Sequence, residues 1–338
     1  MDFFGLDIGS VTTKVAQIKR SGKDKYRVEG AAVIETPVGG MVAEADANLT
    51  TMAETLKKAI NEAKISTKNV SAALPESEVF TRIISMPKMS KTELESAITW
   101  EAEQNIPLPL SEVNFSFNVV DTQPNGAMEV MVVAAPKRLV DRYERVFSLA
   151  GLTPVALETE LLAAGRFLVP ATLGDPVVVV ISGAQTSDIG IMKLGNLVFT
   201  RSIATAGEAL TRSIMTTLQL EPGQAEAFKR TYGMATNQLE GKVANAMKPV
   251  VEVLIREIRR TVNFYESKSG GMTVKTAVLA GGTANLPEVV SLLASGLNIE
   301  VQTSAAITKL DQSKKGGVIT PELLPVYAVA LGLGMKEI

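Results

Sequence analysis

The sequence contains no cysteine and no histidine among its 338 residues. Their absence excludes zinc, copper and iron–sulfur sites built on thiolate or imidazole ligands, and every catalytic arrangement that depends on Cys or His. Any bound metal must therefore be a hard cation held by oxygen ligands, and Mg²⁺ is the first candidate. The absence of disulfides also fits the reducing environment of the cytoplasm.

The sequence also lacks an excess of charge, a long apolar run and a targeting segment. The 34 basic and 36 acidic side chains leave a net charge of −2, whereas a nucleic-acid-binding protein usually carries a basic excess or stripe. No apolar run approaches the ~20 residues that cross a bilayer. The first five residues do not resemble a signal peptide. These absences predict a soluble, cytoplasmic protein that neither binds nucleic acid nor inserts directly into a membrane.

The most informative feature that is present is an internal repeat. An offset of 174 residues places Gly9 on Gly183 and Thr12 on Thr186. In each copy a short apolar strand leads into a turn that contains glycine and hydroxyl groups, and a second strand follows. The chain length corresponds to about two domains of ~150 residues. The sequence therefore predicts two α/β domains, each a mixed sheet with helices, that face one another across a cleft.

Two segments interrupt this repeat and are interpreted as insertions. The first spans residues 80–136 and contains a helix that begins at Ser90, where Ser90 and Glu93 form a capping-box pattern. Alternating apolar residues predict strands on either side of a turn in the same insertion. The second insertion spans residues 205–271 and has helical periodicity throughout.

Four short segments carry residue types that can hold a nucleotide. Glycine turns let the backbone approach phosphate oxygens, and a carboxylate at a strand end can hold a hydrated Mg²⁺. Taken singly, each segment also fits a simpler interpretation, namely a hairpin turn, a strand-to-helix turn or a solvent-facing ion pair. All four in this order are far more specific. The candidate residues are Asp7, Gly9, Ser10, Thr12, Thr13, Lys14, Gly183, Ala184, Gln185, Glu226, Lys229, Gly281, Gly282, Thr283 and Asn285.

These segments resemble the nucleotide-binding motifs of the actin/Hsp70/sugar-kinase superfamily. Residues 6–10 resemble the phosphate-1 motif, residues 181–188 the phosphate-2 motif and residues 279–283 the adenosine motif. Gly207 and Glu208, with the helix around Lys229, are similar to the nucleotide-contacting helices of the small subdomain and join the candidate set. Residues 86–108 and 131–136 are similar to the PilM family, the actin-like and FtsA-like proteins of type IV pilus assembly.

The resemblance implies an actin-like (ribonuclease H-like) duplicated α/β fold, with two domains around a nucleotide cleft and a 1C-type insertion as in FtsA. The implied subdomains are 1A (1–79, 137–175 and 320–338), 1C (80–136), 2A (176–204 and 272–319) and 2B (205–271). The implied cofactors are ATP and Mg²⁺. The implied function is that of a cytoplasmic scaffold, peripheral to the inner membrane, that binds the N-terminal cytoplasmic peptide of PilN and through it the PilN/PilO complex.

The partner peptide is expected in a groove between subdomains 1A and 1C, and four apolar residues are candidates for lining it: Phe80, Trp100, Ile106 and Leu108. The chain is expected to lack the C-terminal amphipathic anchor of FtsA, because it stops directly after its last predicted helix. Attachment to the membrane would then come from a partner. Self-association stays open.

One departure from the family pattern concerns catalysis. The phosphate-2 motif of the superfamily usually begins with Asp two residues before its glycine, and this chain has Ile181 there. Asp7 is then the one expected metal ligand, and Asp7 and Glu160 are the candidate catalytic residues. Since phosphoryl transfer depends on positioning and charge around the metal, slow or absent hydrolysis is expected. The alternatives are a sugar-kinase-like phosphotransferase and an FtsA-like cell-division protein.

Overall fold

The computed structural model describes residues 1–22, 25–41, 46–122, 126–303, 309–311 and 319–338. The strands are β1 (Phe4–Ile8), β2 (Thr12–Gly22), β3 (Lys25–Glu35), β4 (Asn69–Leu74), β5 (Phe80–Met86), β6 (Val113–Thr122), β7 (Met128–Pro136), β8 (Thr153–Thr159), β9 (Val177–Ser182), β10 (Ser187–Lys193), β11 (Asn196–Ile203), β12 (Thr276–Ala280) and β13 (Glu300–Thr303). The α-helices are α1 (Asp46–Glu62), α2 (Lys91–Asn105), α3 (Lys137–Ala150), α4 (Glu160–Leu168), α5 (Gly207–Leu218), α6 (Pro222–Tyr232), α7 (Lys242–Lys268), α8 (Val289–Leu297) and α9 (Leu324–Gly334). Short 3₁₀ helices occupy Glu76–Glu78, Leu110–Glu112, Leu239–Gly241 and Gly282–Asn285.

Two five-stranded sheets carry the fold, and they have the same topology. The first has the order β3-β2-β1-β4-β8 and the second the order β11-β10-β9-β12-β13. In each, three antiparallel strands are followed by two strands parallel to the first strand of the lobe. The central strands β1 and β9 are buried along their whole length, as expected for strands covered by helices on both faces. The predicted duplication into two α/β lobes is confirmed.

Helices form layers outside and between the sheets. Helices α1 and α3 pack on the outer face of the first sheet, where Met52, Leu56, Tyr143 and Phe147 are buried. Helices α5, α7 and α8 belong to the core of the second lobe. Helices α4 and α9 lie between the two sheets and share one core with both. Because α9 is enclosed in this way, it is apolar on all sides rather than amphipathic.

Close backbone approach around α9 depends on glycine. A Cβ atom on Gly332 would collide with the carbonyl oxygen of Ala163 in α4, and one on Gly5 would collide with that of Ala330. These two glycines therefore set the separation between α9, α4 and β1. Among the described residues, no helix is both long enough and apolar enough to cross a membrane.

A small antiparallel sheet, in the order β5-β7-β6, is inserted between β4 and α3. It packs against α2, whose Leu94, Ile98 and Ala102 are buried at i, i+4 and i+8. The Ser90–Glu93 capping box is confirmed, because each residue's side chain bonds the other's backbone N–H. The far strand β6 contacts the second lobe.

Two polar contacts join the inserted sheet to the turn between β10 and β11. The ammonium of Lys193 lies 2.9 Å from an Asp121 oxygen. The side-chain amide of Asn196 donates to the carbonyl oxygen of Val120 at 2.9 Å. The inserted sheet therefore bridges the two lobes.

Candidate functional site

A cavity of about 750 Å³ opens between the two lobes. Its volume is in the range of cofactor sites, ~300–1,000 Å³. Both glycine turns, helices α4, α5 and α6, and the 3₁₀ helix after β12 line it. The lining includes these sequence-predicted residues: Asp7, Gly9, Ser10, Thr12, Lys14, Glu160, Gly183, Ala184, Gln185, Gly207, Glu208, Glu226, Lys229, Gly281, Gly282, Thr283 and Asn285.

Thr13 is the candidate nucleotide residue that does not line this cavity. Side chains alternate across a strand, so Thr13 points to the face opposite that of its neighbours Thr12 and Lys14. It is fully buried, and its hydroxyl lies 2.8 Å from the hydroxyl of Thr36. Thr36 in turn donates to the carbonyl oxygen of Gly9 at 2.8 Å. The role of Thr13 is thus to support the turn from behind.

The first glycine turn joins β1 to β2. The N–H of Gly9 donates to the carbonyl oxygen of Thr12 at 3.1 Å. A Cβ on Gly9 would lie 2.9 Å from that same oxygen, so any other residue would distort the turn. Asp7 and Lys14 are direct cross-strand neighbours, and their charged groups are 3.1 Å apart. The turn therefore presents one carboxylate already paired with a cation.

The second glycine turn repeats the first between β9 and β10. The N–H of Gly183 donates to the carbonyl oxygen of Thr186 at 2.9 Å. The carbonyl oxygens of Gly183 and Ala184 accept from the N–H groups of Gly207 and Glu208, at 3.1 and 2.8 Å. Those two residues begin α5, so the positive end of the helix dipole faces the turn. These bonds hold the second turn against the start of α5, and both glycine turns line the same cavity.

Carboxyl groups converge on the inner end of the cavity. Glu160, the first residue of α4, accepts from the backbone N–H of Glu76 at 3.1 Å. The Glu76 carboxylate accepts from the N–H of Leu161 and, at 2.6 Å, from the hydroxyl of Thr200 on β11. Burial, followed by the charges of Asp188 and Asp7, raises the pKa of Glu160 well above its usual range. Burial also raises the pKa of Glu76 to about 7.

Asp188 is a site residue to which the sequence analysis assigned no role. It lies on β10 directly opposite Ile181 of β9, and both line the cavity. Directly opposed residues of antiparallel strands project to the same face. A carboxylate therefore faces the cavity from the neighbouring strand. Burial raises the pKa of Asp188 to about 6, and the hydroxyls of Ser202 and Thr186 oppose that shift.

This geometry bears on the hydrolysis expected from the sequence. Slow or absent hydrolysis stays a prediction, and the Asp188 carboxylate adds a charged group on the same face as the apolar Ile181. The hairpin register was the signal that could have revealed Asp188, since the four-residue turn 183–186 pairs 182 with 187 and therefore 181 with 188. The motif alone, read as a linear string, does not contain that information.

The donor set was compared with the needs of a metal ion. Within the described ranges, no group of three or more carboxylates is arranged to hold a metal by itself. Mg²⁺, however, is usually held by one or two carboxylates together with substrate phosphates and water. Asp7 and Asp188 meet that description, because both line the cavity and the charge of each raises the pKa of Glu160. The residues fit a nucleotide-bound Mg²⁺ rather than an isolated metal centre.

A charged cluster on α5 and α6 lines the opposite side of the cavity. Lys229 is buried and donates to the carbonyl oxygen of Gly207 at 3.1 Å and to the hydroxyl of Thr211 at 2.9 Å. Burial opposes ionisation of Glu226, but hydrogen bonds from Lys229, Thr211 and Arg230 outweigh it and lower its pKa to about 2. Glu226 is therefore a permanently ionised acceptor at the cavity wall.

The turn after β12 brings backbone to the cavity at Gly281. Its φ of +84° favours glycine, and any Cβ atom at this position would collide with the Ser182 backbone. Its N–H donates to the carbonyl oxygen of Pro325 at 2.8 Å. The Thr283 hydroxyl accepts from Ser182 at 2.9 Å, and the Asn285 amide donates to the carbonyl oxygen of Glu322 at 2.8 Å. These hydrogen bonds hold residues 281–285 in place at the edge of the cavity.

Three of the four candidate partner-binding residues pack on one core, and the fourth is exposed. Ile106 is 6% exposed and belongs to the core between α2 and the small sheet. Phe80 and Leu108 are half-buried and pack on the same core. Trp100 is 61% exposed on the outer face of α2. Trp100 is thus the member of the set that presents most of its surface to a partner.

The family comparison covers nearly the whole chain. The model of a family described as "Type IV pilus assembly protein PilM" matches residues 5–338. A solved structure entitled "PilM-PilN type IV pilus biogenesis complex" contains a chain 27% identical to this one, with a TM-score of 0.83. That alignment covers 99% of this chain and 98% of the other.

More distant relatives share the fold. The structure of MreB5 of Spiroplasma citri bound to AMPPNP has a TM-score of 0.58 at 13% identity, with 98% of this chain and 94% of that chain covered. The cell division protein FtsA of Neisseria meningitidis serogroup B (strain ATCC BAA-335 / MC58) is 21% identical over 372 residues, covering 97% of this chain and 88% of FtsA. These similarities confirm the predicted two-domain actin-like fold.

Proposed function

The chain belongs to the PilM family of type IV pilus assembly proteins, and from that premise we propose that it is an ATP-binding scaffold that binds the N-terminal cytoplasmic tail of PilN. The observation that carries the proposal is the end-to-end similarity to the chain in the PilM–PilN complex, at a TM-score of 0.83. The match to FtsA is weaker, at 21% identity, and does not favour a role in cell division.

The proposed nucleotide lies in the cavity between the lobes. The two glycine turns, around Gly9 and Gly183, would bind the phosphates from opposite sides, and Lys14 would add a positive charge. Glu226, ionised at neutral pH because its pKa is about 2, would accept hydrogen bonds from the ribose hydroxyls. The Gly281 turn would lie against the base. A protein of the same fold, MreB5, was solved with AMPPNP, which supports this assignment of ligand class.

A bound Mg²⁺ would neutralise phosphate charge and orient the phosphate chain. Asp7 is the residue we propose to hold it from the first lobe. Glu160 lines the cavity and would position a water near the terminal phosphate during hydrolysis. Its pKa is raised, and a bound cation would oppose that shift and favour the carboxylate, the form that can accept a proton from the water. His and Cys are absent from the sequence, so neither residue type can take this role.

The proposed partner surface is the inserted small sheet with α2. We assign residues 80–136 to a 1C-type subdomain, residues 1–79, 137–175 and 320–338 to 1A, residues 176–204 and 272–319 to 2A, and residues 205–271 to 2B. The tail of PilN would bind between 1A and 1C and so attach the protein to the inner membrane through the PilN/PilO complex. Trp100 is the exposed aromatic residue of this region.

A physical connection links the cavity to the inserted sheet. Glu160 lines the cavity and accepts from the N–H of Glu76. Glu76 begins the 3₁₀ helix that leads within four residues to Phe80, the first residue of β5. A ligand that moves Glu160 would therefore bias the position of β5. We propose that nucleotide and peptide binding are coupled by this route.

The test uses the single tryptophan of the chain, Trp100. The PilN tail peptide is titrated into the full-length protein with and without Mg·ATP, and binding is followed by calorimetry and by Trp100 emission. Saturable binding near one peptide per chain is expected, with a blue shift if the peptide covers α2. A peptide of the same composition in scrambled order serves as the control. Binding of neither peptide to folded protein would refute the scaffold function.

A further inference from the structure

Asp188 has an oxygen that the surrounding protein leaves without a partner. The residue is 3% exposed, and its Oδ2 accepts from the Thr186 hydroxyl at 3.2 Å. Its Oδ1 is buried and has no hydrogen-bond partner in the part of the chain that the structure describes. Leaving a buried carboxylate oxygen unpaired is costly, ~1–3 kcal/mol or more for a charged group. An unpaired oxygen of this kind, facing a cavity, indicates a ligand.

The chemistry of the cavity selects a cation as that ligand. Asp188 lines the same cavity as Asp7 and Glu160, and the charges of Asp188 and Asp7 both raise the pKa of Glu160. The Ser202 hydroxyl is near enough to lower the pKa of Asp188, but it supplies one neutral dipole and no positive charge. The Asp7 carboxylate, in contrast, already has Lys14 at 3.1 Å. Of these two carboxylates, Asp188 is therefore the one whose negative charge the neighbouring residues balance less. Carboxylate oxygens bind hard divalent cations.

We propose that Asp188 is a direct ligand, together with Asp7, of the Mg²⁺ that accompanies a nucleotide in this cavity. The inference rests on the proposed function, because phosphate oxygens and water would complete the coordination. In this arrangement β10 supplies the carboxylate from the position that faces Ile181 across the hairpin. The apolar residue at 181 is then compatible with metal-dependent nucleotide binding.

The first test compares Asp188→Asn with the wild-type protein. ATP is titrated by calorimetry in the presence of Mg²⁺ and, separately, in EDTA. We expect Mg²⁺ to tighten ATP binding to the wild-type protein, and the variant to lose ~10- to 100-fold of its metal-dependent affinity. Affinity for metal-free ATP should be unchanged or slightly higher, because the variant removes a negative charge near the phosphates. An unaltered Mg²⁺ dependence in Asp188→Asn would overturn the proposal.

The second test exchanges the two opposed residues. The double variant Ile181→Asp/Asp188→Ile returns a carboxylate to the same face from β9, and we expect it to regain most of the Mg²⁺ dependence that Asp188→Ile alone loses. Asp175→Asn is the matched control, because Asp175 is exposed and does not line the cavity. Equal losses of metal-free and metal-dependent affinity in Asp188→Asn would indicate a structural role and overturn the proposal.

A direct metal readout separates this inference from the proposed function. Binding of Mn²⁺, as a paramagnetic substitute for Mg²⁺, is measured by electron paramagnetic resonance with and without ATP. If the wild-type protein binds no ATP, the proposed function fails. The Mn²⁺ titration without nucleotide then tests, by itself, whether Asp188 binds a metal. One bound Mn²⁺ that disappears in Asp188→Asn would support the ligand role of Asp188. No Mn²⁺ bound under any condition would overturn it.

Discussion

The Glu76 carboxyl lies beneath the cavity, where ionisation is unfavourable. It is 5% exposed, and burial raises its pKa from the ordinary 4.5 to about 7, with the charge of Asp188 adding to the shift. The hydroxyl of Thr200 and the N–H of Leu161 oppose it only in part. We predict that Glu76→Gln stabilises the nucleotide-free protein at alkaline pH.

The direction and the size of this effect follow from proton linkage. Because the folded state holds the proton more tightly than the unfolded state, the contribution of Glu76 to stability is fully present below pH 4.5. It is lost as the pH rises to about 7. At about 1.4 kcal/mol per pH unit, the loss amounts to about 3 kcal/mol above pH 7. Gln reproduces the protonated group, since its amide can donate to Thr200 and its oxygen can accept from Leu161.

The measurement is urea denaturation, followed by circular dichroism, of nucleotide-free protein in EDTA. The variant should exceed the wild type in unfolding free energy by about 3 kcal/mol at pH 8 and by about 1 kcal/mol at pH 5. Glu78→Gln is the control, because Glu78 lies in the same 3₁₀ helix and is partly exposed. A variant that is no more stable than the wild type at pH 8, or a difference that does not change with pH, would refute the reasoning.

Two further predictions concern the packing between the lobes. Arg166→Met should destabilise the protein by about 2 kcal/mol in the same denaturation assay. Arg166 makes two 2.7 Å hydrogen bonds to the buried Glu158, and its loss leaves the Glu158 charge with fewer partners to balance it. An unchanged denaturation midpoint would contradict this prediction. Gly332→Ala should lower the melting temperature by ~10 °C or prevent folding, since the added methyl group collides with the Ala163 carbonyl. Gly223→Ala, whose Cβ meets nothing within 4 Å, should be neutral or slightly stabilising, and a similar loss in both variants would contradict the steric explanation.

Local patterns in the sequence were sufficient for the duplicated architecture and for most of the cavity lining. The offset of 174 residues aligned Gly9 with Gly183 because both close the same kind of turn, in which the glycine N–H donates to the carbonyl oxygen three residues later. The capping box at Ser90 was equally readable, since all of its hydrogen bonds join residues within one turn of helix. Features whose physical cause is local in the chain can be read from a single sequence.

Other residues have positions that depend on contacts between distant parts of the chain. Residue type groups Thr13 with Thr12, but strand alternation places Thr13 behind the turn. Ile106 is apolar and so a candidate for the groove, but packing of α2 on the small sheet buries it in the core. No local pattern points to Glu76, because its partner Thr200 is 124 residues away in the sequence.

The sequence by itself determined the class of fold, the two glycine turns and the absence of thiolate and imidazole chemistry. The tertiary structure alone decided which carboxylates meet in the cavity, that Asp188 stands opposite Ile181, and that α9 is enclosed between two sheets. The physical reason is that charge, burial and the free energy of ionisation depend on distances between groups from different strands and lobes. Those distances are set by sheet register and lobe packing, which no single segment of the sequence contains.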